Sequence, residues 1–286
     1  MTYAHPETLV STDWLAQHLG AGDLRLVDAS FKLPGVTPTA HDDYVAGHIP
    51  GAVFFDIDRI SDHGTDLPHM LPSPESFAAE VGKLGLGDGT RIVLYGTSLA
   101  GPARVWWTFR AFGRDVSILD GGLKKWRAEG RPTDALIPAP QAESFTARFD
   151  ADLVRSKSQV QANIATRQAQ LLDARARGRF EGTAPEPRAG LRGGHIPGSL
   201  HLDHLDLVDA QTGLVKPAAA LRAAFDGAGI DPARPVITTC GSGVTASVLA
   251  LGLHLIGHDD VAVYDGSWSE WGLPGDQPVE TGPARR

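Results

Sequence analysis

Gly47-His48-Ile49-Pro50-Gly51 recurs 147 residues later as Gly194-His195-Ile196-Pro197-Gly198, and the organisation of the chain follows from that recurrence. Around it, Leu26-Val27-Asp28 is echoed by Leu171-Leu172-Asp173, and Asp120-Gly121-Gly122 by Asp265-Gly266-Ser267, both displaced by 145 residues. Trp126 and Trp271 keep the same displacement. Self-similarity at this period means two copies of one domain in tandem, with two extra residues ahead of the second His-Ile-Pro-Gly, which suits a chain of 286 residues. Between the copies, Arg131 to Asp150 holds Pro132, Pro138 and Pro140 among small polar residues, a composition that resists helix and favours an extended linker. The expected division is 1–138, a linker over 139–150, and 151–286.

Within each copy, short runs rich in Val, Ile and Leu lack polar alternation and read as buried strands: Leu24 to Val27, Arg91 to Tyr95 and Val116 to Leu119, then Gln170 to Asp173, Pro235 to Thr239 and Val261 to Tyr264. Amphipathic helices are expected over Thr12 to Leu19, Pro74 to Leu84, Val105 to Phe112, Ser158 to Gln168, Pro217 to Ala228 and Thr245 to Ile256, several opened by Ser, Thr or Pro. Strands alternating with helices imply parallel pairing and right-handed crossovers. Each half is therefore an α/β domain, a mainly parallel sheet with helices on both faces.

Composition narrows the function. The chain is 42% apolar and 21% charged, with a net charge of −8 and no basic cluster denser than Arg175, Arg177 and Arg179. Nucleic acid is not an expected partner. Met1 to Leu15 lacks a basic segment followed by an apolar core, and the most apolar later stretch, Val244 to Ile256, is interrupted by Thr245, Ser247 and His254. No membrane association is expected, and a cytoplasmic setting is. The single cysteine can form neither an intramolecular disulfide nor a cysteine-rich metal site. His201, His204, Asp203 and Asp206 lack a further ligand group at metal-site spacing, so no metal is expected. Gly85-Leu86-Gly87-Asp88-Gly89 precedes a strand instead of opening a helix after one, and reads as a turn.

Duplication separates scaffold from chemistry: what both copies keep serves the fold, and what one keeps belongs to a site. By that rule His48 and His195 tie loops, and Trp126 and Trp271 anchor cores. Cys240 is different, because the 145-residue displacement sets Tyr95 opposite it. It ends a strand and opens Cys240-Gly241-Ser242-Gly243-Val244-Thr245, after which a helix begins. Such a turn aims backbone N–H groups and the positive end of the helix dipole at one point. A sulfur placed there is favoured as thiolate, the nucleophilic form. The dipole contributes about 0.3–2 kcal/mol, so converging N–H groups of the loop must supply the rest. Arg179 and Arg188 precede the second His-Ile-Pro-Gly, and Lys32 and His41 stand opposite them in the first copy. Two unrepeated guanidinium groups on a loop at a strand's carboxyl end suit bidentate capture of a carboxylate. Asp58 is likewise unrepeated, whereas Asp56 is matched by Asp203. It is a candidate for reaching across the domain interface.

Leu171-Leu172-Asp173-Ala174-Arg175, Gly178-Arg179-Phe180-Glu181-Gly182, Pro185-Glu186-Pro187-Arg188, Gly194 to Gly198, Asp265-Gly266-Ser267-Trp268 and the Cys240 to Ala246 loop stand together in an order that resembles the two-domain rhodanese-family sulfurtransferases over nearly the whole chain. The loop is similar to that of the branch using 3-mercaptopyruvate. The resemblance implies tandem rhodanese-like domains of which the first is silent, in agreement with Tyr95. It implies a persulfide on Cys240, a substrate carboxylate held by Arg179 and Arg188, a substrate-binding loop of Gly241, Gly243, Val244 and Thr245, and Ser242 with Asp58 assisting the thiol. No dissociable cofactor is implied. A small-molecule sulfur donor and a thiol acceptor, such as a thioredoxin-like protein, are the expected partners, with cyanide as an alternative acceptor.

One departure is Gly101-Pro102-Ala103-Arg104 before Val105-Trp106-Trp107, where relatives usually read Ala-Pro-Arg, and it bears on the conformation of the first domain's loop. Thiosulfate is a dianion that calls for cations beside the nucleophile, and its branch carries Arg and Lys after the Cys. Gly241 and Ser242 are neutral, which fits a 2-oxo acid whose carboxylate lies some atoms from the transferred sulfur. Thiosulfate sulfurtransferase and a non-enzymatic persulfide carrier remain the alternatives. A rhodanese-like phosphatase is disfavoured, since the phosphate-clamping Arg position six residues after the Cys is Ala246.

Overall fold

The aliphatic runs without polar alternation do form the central strands. A computed structural model describes residues Thr2–Ala284. In the first copy the strands are β1 (Leu9–Val10), β2 (Leu24–Asp28), β3 (Val53–Phe54), β4 (Arg91–Tyr95) and β5 (Ser117–Leu119). The second copy supplies β6 (Val154–Arg155), β7 (Gln170–Asp173), β8 (Leu200–His201), β9 (Val236–Thr239) and β10 (Val261–Tyr264). The sheets run β1-β5-β4-β2-β3 and β6-β10-β9-β7-β8, and every pairing within them is parallel.

Helices α1 (Thr12–His18), α2 (Ala40–Ala46), α3 (Pro74–Lys83), α4 (Ala100–Ala111) and α5 (Gly122–Ala128) serve the first sheet. The second has α6 (Lys157–Thr166), α7 (Arg177–Glu181), α8 (Ala218–Ala228), α9 (Ala246–Leu255) and α10 (Ser267–Trp271). From β7 the chain crosses to β8 on one side, and from β9 to β10 on the other. The loops leaving the carboxyl ends of β7 and β9 therefore part company at a topological switch point, the place where open α/β sheets form a crevice. Among the described residues no helix is long and apolar enough to cross a membrane.

Strand register corrects the assignment of Tyr95 to the position of Cys240. Asp28 pairs with Tyr95 and Asp173 with Thr239, and the N–H of Leu123 reaches Gly96 O as that of Trp268 reaches Cys240 O, both at 3.0 Å. The residue standing where Cys240 stands is Gly96. The repeat runs at 144 residues here because the first copy is one residue longer before β4, an offset that equal-displacement matching across the whole chain hides.

Helices α4 and α9 also differ from expectation. Helix α4 starts five residues before Val105, because Pro102 lies in its first turn, where a missing N–H costs no intrahelical bond. Neither helix is amphipathic: ten of twelve residues of α4 and nine of ten of α9 are buried. They pack on each other, so apolar residues all round each helix join the two domains through one core that includes Phe109, Trp107, Leu249 and Leu253.

The segment after α5 is extended, as its prolines require, and it adheres to the first domain. His48 and Asp134 exchange backbone bonds, Glu143 N–H reaches Gly82 O at 3.0 Å and Asp150 N–H reaches Ala111 O at 2.8 Å. This strap explains the Gly85–Gly89 turn: a β-carbon on Gly87 would lie 2.7 Å from that of Glu143.

The two halves also clasp each other reciprocally. Asp120 Oδ1 accepts from Val215 N–H at 2.8 Å, and Asp265 Oδ2 from Leu71 N–H at 2.8 Å. Burial pushes the Asp120 carboxyl above its ordinary range, opposed by the N–H groups of Val215 and Gly121 and by Lys125. A raised carboxyl stabilises the fold only while protonated, so its contribution is full at low pH and lost as pH rises through the folded-state value. Asp120→Asn keeps the oxygen that Val215 needs and removes the charge. Melting temperatures of variant and wild type should be close near about pH 4 and diverge in favour of the variant toward about pH 8. A pH-independent difference would refute the account.

Candidate active site

Cys240 follows β9 at the switch point, 2% exposed, with the apolar core on one side. Its loop is shaped by α10. The N–H groups of Trp268 and Ser269 take the carbonyls of Cys240 and Gly241 at 3.0 and 2.8 Å, and Ser269 Oγ donates to Gly241 O at 2.7 Å. In a trans peptide the C=O and the following N–H point opposite ways. The N–H groups of Gly241 and Ser242 are thereby turned away from α10, and among the described residues neither they nor those of Val244 and Thr245 have a hydrogen-bond acceptor.

Cys240 and Gly243 N–H instead donate to Ser267 Oγ, both at 3.1 Å, while that hydroxyl donates to Tyr264 O at 2.7 Å. The N–H groups of Gly241, Ser242, Val244 and Thr245 are therefore without an acceptor among the described residues, whereas that of Gly243, expected to face the substrate, is taken up by Ser267. The sequence signal for Ser267 is its asymmetry in the repeat, where Gly122 is its counterpart. The Ser242 side chain is 5% exposed, and its hydroxyl has no partner among the described residues.

Both arginines arrive from the loop after β7. Arg179, on α7, lies over Gly241, where a β-carbon would be 2.9 Å from Nη2. Its Nε and Nη2 donate to Glu186 Oε2 at 3.1 and 2.6 Å, so half of its fork is already matched and Nη1 remains. Buried Arg175, itself held by Asp173, takes the other oxygen of Glu186 at 2.8 Å. Arg188 is half-buried and has no carboxylate within ion-pair distance among the described residues. Its side-chain partner is His69 Nε2, 3.1 Å away and across the domain interface. Burial pulls the Arg188 guanidinium below its usual value, with Cys240, Asp58 and Glu186 opposing and Arg179 adding to the shift. A cation with neighbouring cation, partial burial and no counter-ion is a place for an anion.

Asp58 meets the site through His69. Its exposed carboxylate lies 2.8 Å from His69 Nδ1, a close contact that falls outside hydrogen-bond alignment. The imidazole, with Arg188 behind it, holds the Asp58 carboxyl below the usual range. Since Arg188 can only donate, Nε2 accepts and the proton sits on Nδ1, facing Asp58. The structure does not join Asp58 to Ser242; His69 occupies the space between Asp58 and Arg188. Nothing in the sequence marked His69, because it lies in an irregular loop and its offset partner falls in another.

Four other histidines, His48, His195, His201 and His204, tie backbone carbonyls. His48 Nδ1 bonds Tyr44 O at 2.8 Å and His195 Nδ1 bonds Phe180 O at 2.9 Å. His201 and His204 bond the carbonyls of Arg175 and Ala174. Trp126 and Trp271, fully buried, each donate to a proline carbonyl.

A tandem α/β fold with a cysteine loop at one switch point and none at the other defines a class, and the chain belongs to the rhodanese-like family: the Rhodanese-like domain model matches residues 11–129 and 156–273. The 3-mercaptopyruvate sulfurtransferase of Homo sapiens is 43% identical over 92% of this chain and 91% of its own. The thiosulfate sulfurtransferase of Bos taurus is also 43% identical, again over 92% and 91%. The crystal structure of SseA from Escherichia coli, a 3-mercaptopyruvate sulfotransferase, superposes with a TM-score of 0.84 at 38% identity, covering 92% of this chain and 99% of that one.

Proposed function

We propose that this sulfurtransferase takes the sulfur of 3-mercaptopyruvate onto Cys240, releases pyruvate and passes the sulfur to a thiol or to cyanide. The observation that carries the donor choice is the placement of charge: Gly241 and Ser242 beside the sulfur are neutral, and the open cation is Arg188, set back on another loop. A monoanionic donor whose carboxylate is separated from its sulfur fits that spacing; a compact dianion does not.

In the first half-reaction the Cys240 thiolate attacks the donor sulfur. The new S–S bond forms as the carbon–sulfur bond breaks, and the electron pair passes to C3 as the enolate of pyruvate. The enolate takes up a proton at C3, for which the unpaired Ser242 hydroxyl is placed in the same loop. The free N–H groups of the loop hold the anionic sulfur. In the second half-reaction an acceptor thiolate attacks the outer sulfur and Cys240 leaves as thiolate, so kinetics are ping-pong. Asp58 orients His69, and His69 accepts from Arg188. A thiol that must stay reduced suits a cytoplasmic setting.

Steady-state kcat/KM for pyruvate release from mercaptopyruvate should exceed that for thiosulfate consumption by about 10²-fold or more, the discrimination one well-placed ionic contact gives. Equal values would favour the thiosulfate reading, which the Bos taurus relative keeps in view. A single burst without turnover would favour a persulfide carrier.

A further inference from the structure

We propose that Arg104, in the first domain, is a positioning residue of the second domain's active site, fixing His69 against Arg188 and the cysteine loop. Arg104 lies on α4 and is 2% exposed. Its Nη1 donates to Asp265 Oδ1 at 2.7 Å, its Nη2 makes a short hydrogen bond to the backbone oxygen of His69, and its guanidinium stacks 4.6 Å over Trp107. Asp265 uses its other oxygen to hold Leu71 N–H. The same Nη1 lies 2.6 Å from where a β-carbon of Gly243 would stand, and Gly243 has φ +76°. One buried guanidinium therefore touches the 69–71 segment, the turn carrying Asp265 and the loop carrying Cys240.

His69 needs such a grip. Its φ is +64°, a left-handed conformation uncommon for any residue with a β-carbon and held at an energetic cost. Arg104 holds the carbonyl of that residue, while Asp58 and Arg188 meet its ring.

The repeat supplies the independent argument. On the opposite side of the molecule Asp120 holds Val215 just as Asp265 holds Leu71. With Gly96 aligned to Cys240, and the caps Phe112 and Ile256 keeping the same offset, the residue standing in place of Arg104 is Val248. The clasp between an aspartate and a backbone N–H is common to both sides and belongs to the fold. The buried ion pair, expensive to desolvate and weak evidence of stabilisation in itself, is present only where there is an active site to hold. The departure at Gly101-Pro102-Ala103-Arg104 thus bears on the chemistry of the second domain and not only on the loop of the first.

The inference takes its kinetic readout from the sulfurtransferase reading, and a second readout stands apart from it. A double-mutant cycle joins Arg104→Met or Arg104→Lys with His69→Ala. Arg104→Met should lower kcat/KM for mercaptopyruvate by about thirtyfold, chiefly through KM, yet by less than about threefold in the His69→Ala background, because the effect travels through His69. Should the Met variant fail to fold, the Lys variant, which retains the charge but cannot span both acceptors, carries the same comparison. Independently of any donor, the ¹⁵N signal of His69 Nε2 should move in Arg104→Lys as the contact with Arg188 loosens. Equal costs in both backgrounds, or an unmoved ¹⁵N signal, overturn the proposal. A wild type inert toward mercaptopyruvate whose His69 signal still responds to Arg104→Lys would retire the donor assignment and support the positioning role.

Discussion

Cys240→Ser should abolish turnover, with pyruvate release falling by about 10⁴-fold or more, since no other thiol exists in the chain to take the sulfur. The substitution is nearly isosteric in a loop whose carbonyls are held by α10, so the fold should survive and the melting temperature should change little. A serine hydroxyl in the same cradle stays protonated near neutrality and is a poor nucleophile toward sulfur. Intact mass after mixing with mercaptopyruvate separates the causes of a loss. Wild type should carry one added sulfur, removed by a thiol, and the variant none. An added sulfur on Cys240→Ser would refute the assignment, and undiminished pyruvate release would refute it more simply.

The second large effect is expected at Arg188. Arg188→Ala should raise KM for mercaptopyruvate and lower kcat/KM by about 10²-fold, the scale of one charge-assisted contact to a carboxylate in a partly buried site. The companion substitution at Arg179 is a poorer test, because Arg179→Ala also strips a partner from Glu186, whose side chain is 2% exposed and would be left with Arg175 alone. Arg188 carries no such duty to a carboxylate. An unchanged KM in Arg188→Ala would remove it from substrate binding and leave it only as the partner of His69.

Much of the fold was legible because it is written twice. The repeated Asp-strand, His-Ile-Pro-Gly and Asp-Gly segments place the main strands, and the hydrophobic runs confirm them. The two-residue strands β1, β3, β6 and β8 were not legible, because two residues carry no period. Helices α4 and α9 read as amphipathic in the sequence because a short window cannot tell an apolar stripe from an apolar surface.

At the site, Cys240, Arg179 and Arg188 were legible by their absence from the first copy. His69 and Arg104 were not, since each acts on the half of the molecule that does not contain it. Ser267 and Glu186 lay inside motifs already quoted, but their roles rest on which N–H or guanidinium each meets, and that is set by packing.

The apolar meeting of α4 and α9 also bears on how this protein can change over generations. A domain without a nucleophile would ordinarily be free to decay or be lost from its gene. Here it cannot be dispensed with, because shedding it would leave its sibling with an uncovered greasy helix and no water-compatible boundary. The duplication is thereby locked in, and the copy without the cysteine persists as a permanent casing for the one that carries it.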